Sequence, residues 1–303
     1  MAPKRALFVL ILIAAAILAC SGGPRFDSER AYADLEKICS FGPRVANTQA
    51  HLNAGEFIYS SLRSTTDICR TQQFSVFDST YKLNRKMFNM IASYYPDAKK
   101  RIMLCAHWDS RPFSDMESDS SKMELPILGA NDGGSGVAVL LEIGRILQKH
   151  EPRIGIDIVL FDGEDYGSDE WPGGWFLGSA YFAEYLDGYR PSLAILIDMI
   201  GDSDLQIYRE AISEKYAKGL NDYIWKIAAE QGSLVFIDSI KYTVSDDHVP
   251  LLSKGIKTID IIDFDYPYWH TQEDTPDKCS AESLGEIGKV LLAAIFDDRI
   301  NSF

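Results

Sequence analysis

Four short apolar runs constrain this chain more than any other feature: Ile102–Ala106, Ile156–Phe161, Leu193–Ile197 and Thr258–Ile262. Each is apolar at nearly every position rather than at alternate ones. Runs of that length and pattern read as strands buried on both faces. Between and after them lie helical patterns at about Ser135–Lys149, Gly178–Leu186, Glu214–Gln231 and Ala281–Phe296. Strands alternating with helices predict a parallel sheet covered on both sides. Upstream, Ser28–Ile38 (with Ser28 as N-cap) and Leu52–Leu62 read as helices, and Gln72–Phe77 and Met87–Tyr94 as strands. With no internal repeat and no Pro/Ser-rich linker, the expectation is α/β: one domain over 28–303, with a largely parallel, mixed central sheet and helices on both faces.

Composition narrows the function. Of 303 residues, 46% are hydrophobic, enough for a packed core. The formal charge of −14 argues against a nucleic-acid partner, which requires a Lys/Arg surplus on some face. Residues 1–19 have the layout of an export signal, with Lys4 and Arg5 before an apolar run from Ala6 to Ala19. Ile17-Leu18-Ala19-Cys20 is similar to the bacterial lipobox, in which the Cys carries lipid. The expectation is a signal peptide over 1–19, a lipidated tether over 20–27, and an exported cell-envelope lipoprotein on the periplasmic side. Membrane contact would come only through that lipid. Cys39, Cys69, Cys105 and Cys279 remain, an even number open to disulfide pairing, although Cys105 in an apolar strand also suits a buried free thiol.

The polar residues that follow the strands carry the chemistry. Open α/β sheets gather functional groups beyond the carboxyl ends of their strands. There the chain places His107, the Glu164-Asp165 pair and Asp198, with Asp132 and His270 in adjacent loops. Imidazole and carboxylate are the donors a catalytic zinc takes while keeping a position open. Adjacent acids point in different directions, so one of Glu164 and Asp165 can hold metal while the other works as acid or base. Asp109 reads either as support for the His107 imidazole or as a turn residue. His51 and His150 read as surface residues. Phe264, Tyr266 and Tyr268 read as core packing, and Trp171 and Trp175 as candidates for a pocket rim.

His107-Trp108-Asp109-Ser110, Gly129-Ala130-Asn131-Asp132, Phe161-Asp162-Gly163-Glu164-Asp165, Leu196-Ile197-Asp198-Met199-Ile200-Gly201, Asp246-Asp247-His248 and Trp269-His270-Thr271 follow one another in the order and approximate spacing of the zinc exopeptidase superfamily. That superfamily contains bacterial aminopeptidases and glutaminyl cyclases, and the resemblance runs from Phe41 to about Asp277. Gly42-Pro43-Arg44, Trp269 before His270 and the doubled Asp246-Asp247 resemble the glutaminyl cyclase branch.

The resemblance implies that Asp132, Asp165 and His270 bind a catalytic zinc and that Glu164 shuttles protons. It makes Asp198 and Asp246 a carboxyl network and Trp269 an active-site wall. His107 and Asp198 would complete a second site, so one Zn2+ is expected and two can be held. Asp165 departs from the usual Glu and is one methylene shorter, so the metal must approach that strand end more closely or the ligand role passes elsewhere. His248 is near the site by resemblance, with no defined role. The implied reaction is conversion of N-terminal Gln of peptides or proteins to pyroglutamate. The alternatives are a zinc aminopeptidase of the same superfamily and a binding module on the peptidase fold that has lost catalysis.

Overall fold

The computed structural model describes residues 23–303. The segment read as an export signal, Cys20 and the first residues of the expected tether lie outside the described residues. Two helices open the described part of the chain, α1 (Ser28–Cys39) and α2 (Gln49–Arg63), followed by strands β1 (Ile68–Asp78), β2 (Leu83–Tyr94) and β3 (Arg101–His107). Then come α3 (Gly136–Leu147), β4 (Gly155–Phe161), α4 (Leu177–Glu184) and β5 (Leu193–Asp198). The remainder is β6 (Ile207–Glu210), α5 (Ala211–Glu230), β7 (Phe236–Tyr242), α6 (His248–Ser253), β8 (Thr258–Ile262) and α7 (Ala281–Phe296).

The main sheet has the order β1-β2-β4-β3-β5-β8. β3 is parallel to β4 and β5, β5 is parallel to β8, and β1 and β2 form an antiparallel flank. The α/β expectation of a largely parallel mixed sheet therefore holds. Side chains alternate across it. Ile102, Leu104 and Ala106 of β3 join a core with α1, α3, α5 and α7, whereas Met103 and Cys105 join a second core with Phe182 of α4 and Leu251 of α6. Helices thus cover both faces, and every residue of β4, β5 and β8 is buried. Chain order runs β3, β4, β5, but space order puts β3 in the middle. Growth of the sheet reverses there and opens a crevice at the carboxyl ends of those strands.

Several local readings are corrected. Asp27, not Ser28, caps α1, accepting from the Arg30 N–H. β1 is longer than its apolar pattern because most of its length is an exposed hairpin arm held by ladder hydrogen bonds to β2. α5 begins at Ala211 rather than Glu214, since the Glu210 carboxylate accepts from the Ile212 and Ser213 N–H groups. β6 and β7 pair as a separate parallel ribbon. Their sequences lack a strong period, and only the pairing makes them strands. His51, expected at the surface, is buried: it stacks on Trp108 with centroids 4.4 Å apart, and its Nε2 lies 2.9 Å from Asp162 Oδ2. His150 is exposed as expected. The four cysteines among the described residues, Cys39, Cys69, Cys105 and Cys279, are free thiols.

Among the described residues no helix is long and apolar enough to cross a membrane. Phe26, in the segment expected to be a tether, lies over Gly288 of α7, where a β-carbon would come within 2.3 Å of its ring.

Candidate active site

The crevice brings together all six residues read from the strand ends and loops. His107 ends β3 and Asp198 ends β5, so parallel pairing sets both at the same level. Asp132 is presented by the tight turn Ala130–Ser135. That turn needs glycine at 133, which has φ +86° and room for no β-carbon: one would lie 2.7 Å from the Asp109 carbonyl and 2.8 Å from the His107 ring. Glu164 and Asp165 follow β4, and His270 lies in the loop after β8 with φ +56°. Met199 and Phe176, also beside the cavity, have positive φ too. Such conformations are costly for non-glycine residues and collect where a site is over-determined by its surroundings.

Two groups of donors form. Asp132, Asp165 and His270 each offer an atom within 4.8 Å of the others, and so do His107, Asp132 and Asp198. Asp132 is shared: its Oδ1 lies 3.1 Å from His107 Nε2 and its Oδ2 3.8 Å from His270 Nε2. His107 Nε2 is also 3.2 Å from Asp198 Oδ1. All these residues are buried, and Asp165 Oδ2 has no hydrogen-bond partner. A buried carboxylate oxygen left unpaired among imidazole and carboxylate donors is what a divalent cation would satisfy. The residues fit zinc. The shorter Asp165 side chain reaches the donor group, so the ligand role need not pass to another residue.

Supporting groups fix the donors. Asp109 holds the His107 Nδ1 side at 3.4 Å and accepts from the N–H groups of Glu164 and Asp165, which resolves its two readings in favour of support. His270 Nδ1 lies 3.0 Å from Asp115 Oδ1. Asp274 accepts from the N–H groups of Asn131 and Asp132 and from the Tyr266 hydroxyl.

Arg111 is the residue that sequence reasoning missed most clearly. It donates to Asp165 Oδ1 at 2.6 Å and forks onto Asp115 at 2.8 and 2.7 Å. The only local hint was its opposite charge four residues before Asp115. Asp274 gave none.

The cavity beside these donors measures about 310 Å³ and is lined by Glu164, Asp198 and Asp246 on the acidic side. Burial, then the Asp165 charge, holds Glu164 well above the usual carboxyl range. Burial likewise raises Asp198, and it raises Asp246 with help from the Asp198 and Asp247 charges. Burial opposes protonation of His270, but Asp165 and Asp115 outweigh it and carry the imidazole up to about 9. Behind Asp246, the buried His248 sits 3.5 Å from Glu210 and 3.8 Å from Asp260.

An aromatic wall completes the cavity. Trp269 stacks on His270 with centroids 3.8 Å apart. Phe264, read as core packing, lines the cavity against Trp269, whereas Tyr266 and Tyr268 stay in the packing layer as expected. Of the two rim candidates, Trp175 lines the cavity, drawn in by a backbone bridge to Asp165, and Trp171 packs elsewhere.

A strand-end crevice with shared imidazole and carboxylate donors defines a zinc-dependent enzyme of the exopeptidase type. The chain belongs to Peptidase family M28, whose sequence profile matches residues 89–295.

Within that class it is similar to the crystal structure of Bacteroides thetaiotaomicron glutaminyl cyclase bound to N-acetylhistamine, at 37% identity, TM-score 0.88, and coverage of 91% of this chain and 100% of that one. It is also similar to a Zn-dependent exopeptidase from Parabacteroides distasonis, at 36% identity, TM-score 0.88, and coverage of 91% and 100%. Aminopeptidase YwaD of Bacillus subtilis is 30% identical over 210 residues, which span 65% of this chain but only 40% of that protein.

Proposed function

We propose that this chain is a glutaminyl-peptide cyclotransferase, closing an N-terminal glutaminyl residue to pyroglutamyl with release of ammonia. The observation that carries the reading is the row Glu164, Asp198 and Asp246 facing the Trp269 wall across one small cavity, beside the Asp132, Asp165 and His270 donors. Ring closure forms a bond from the α-amine nitrogen to the side-chain carbonyl carbon and breaks the bond from that carbon to the amide nitrogen. One proton must travel from the first nitrogen to the second. Glu164, with its affinity for protons raised, takes it from the amine and delivers it to the leaving ammonia. Burial and the Asp165 charge, with smaller help from Asp246 and Asp247, hold Glu164 in that state. Trp269, Phe264 and Trp175 enclose the side chain and favour the folded conformer that closure requires. Lewis-acid polarisation of the side-chain carbonyl is the chemistry that a zinc held by Asp132, Asp165 and His270 supplies.

A second reading, an aminopeptidase, is favoured by the second donor group of His107, Asp132 and Asp198, which can hold a further zinc for water activation. The binding-module reading loses ground because the full donor set and its supports are assembled. Partners under the cyclase reading are peptides or proteins with N-terminal Gln. We place the enzyme in the cell envelope, tethered by lipid at Cys20. Incubation with Gln-initiated and Leu-initiated peptides followed by mass spectrometry tests the activity. Loss of ammonia from an otherwise intact peptide is expected, and release of free amino acids would establish the peptidase.

A further inference from the structure

Next to the active-site cavity lies a second, larger depression of about 800 Å³, and Trp175 lines both. Its walls come from segments far apart in sequence: Tyr81 from the β1–β2 hairpin, Phe113 and Glu124 from the loop after β3, and Asp169 and Glu170 from the loop after β4. Tyr81, Glu124, Asp169 and Glu170 are exposed, and Phe113 and Trp175 are partly so. The carboxylates converge, since Glu124 and Glu170 both act on the Tyr81 phenol and, after burial, raise its pKa.

Among the described residues the lining holds one cation, Arg111, and its guanidinium is already engaged by Asp165 and Asp115. By contrast, Glu124, Asp169 and Glu170 make no ion pair with any described residue. The groove is therefore a field of unneutralised negative charge, while its aromatic rings are already covered from within the chain, Tyr81 by Arg85 and both Phe113 and Trp175 by Arg111. The unpaired carboxylates favour a cationic side chain through charge attraction.

We propose that this groove receives the residues that follow the reacting N-terminus of the substrate, and that it selects peptides with Lys or Arg in those positions. The proposal rests on the cyclase reading of the adjoining cavity. A residue whose side chain fills that cavity must send its chain out past the rim, and Trp175, which borders both, puts the groove directly beside that rim. An extended chain advances about 3.3–3.6 Å per residue, so only the first few residues after the N-terminus meet the carboxylates.

The test measures ammonia release from glutamine amide, from Gln-Gly-Lys-Lys and from Gln-Gly-Glu-Glu, using the wild type and the triple variant Glu124→Gln, Asp169→Asn, Glu170→Gln. These exposed side chains lie outside the proposed catalytic set, so the rate with glutamine amide should not change. In the wild type the basic peptide should exceed the acidic one by about fivefold or more in kcat/KM at low salt. That margin should shrink with added salt and in the triple variant. Equal rates on the two peptides, with glutamine amide turned over, would overturn the groove and leave the cyclase reading intact.

Binding of a fluorescent Gly-Gly-Lys-Lys peptide, which cannot cyclise, is measured in parallel. Salt-sensitive binding that weakens in the triple variant supports the groove even if no Gln substrate reacts, in which case only the cyclase reading falls. Binding unaffected by the variant overturns the groove.

Discussion

Arg111 donates to one oxygen of Asp165 at 2.6 Å and leaves the other, also buried, without a partner. The guanidinium thereby turns a short carboxylate into a directed donor. Its second edge grips Asp115, which in turn holds His270. A single side chain thus orients two of the three proposed zinc ligands. Replacing it, as in Arg111→Met, should reduce zinc affinity by about 10–100-fold, the usual scale for a residue that positions metal ligands. Asp165 would also be left buried without its counter-charge, and breaking such a pair typically costs about 3–5 kcal/mol. Zinc content after dialysis against a graded chelator and the thermal midpoint should both fall. Unchanged values for both would show that Arg111 only fills space.

Glu164 and Asp165 are neighbours with separate tasks, and paired variants should distinguish them. Glu164→Gln keeps size and reach but cannot accept the amine proton, so zinc content and inhibitor affinity should survive while turnover drops. General acid–base catalysis is typically worth about 10²–10⁴-fold, which sets the expected loss. Asp165→Asn should lower zinc content together with rate. The reverse pattern, with metal lost from the first variant and kept in the second, would exchange the two roles.

His107 decides the number of ions. Under the cyclase reading it supports Asp132 and Asp198 through contacts of 3.1 and 3.2 Å without holding a metal of its own. His107→Ala should then retain zinc close to the wild-type ratio while losing some activity. Metal analysis that finds two tightly bound zincs in the wild type, with one lost in the variant, would favour the aminopeptidase.

The tether can be tested independently of catalysis. Cys20→Ala should abolish labelling by a fatty-acid probe in cells and shift the protein out of the membrane fraction, with the activity of the purified protein unchanged. Labelling that persists would remove the lipoprotein assignment.

How far the site was legible depended on the distance over which each residue is positioned. His107, Asp198 and the acidic pair were visible because each follows an apolar strand, and adjacent parallel strands align their ends automatically. Asp132 and His270 needed the family resemblance as well, since nothing local to their loops says how far those loops reach. His51 was misread because Asp162 and Trp108, which make its burial tolerable, are far away in sequence. Phe264 was misread for a similar reason. An aromatic next to a packed loop looks the same in sequence whether its ring faces the core or the cavity.

The sequence by itself determined the α/β class, the strand ends at which chemistry would gather, and the pairing of imidazole with carboxylate donors. Those follow from local pattern: continuous apolar runs must be buried on both faces, and polar residues can leave the sheet only at its ends. Tertiary structure alone decided that Asp132 is shared between two imidazoles, that Arg111 reaches across to Asp165, and that Trp175 is drawn to the cavity while Trp171 is not. The first two contacts join segments on different strands, and the third is a backbone bridge that folds the loop after β4 back on itself. Their geometry is set by how the helices seat the strands and loops against one another, which the local sequence pattern does not contain.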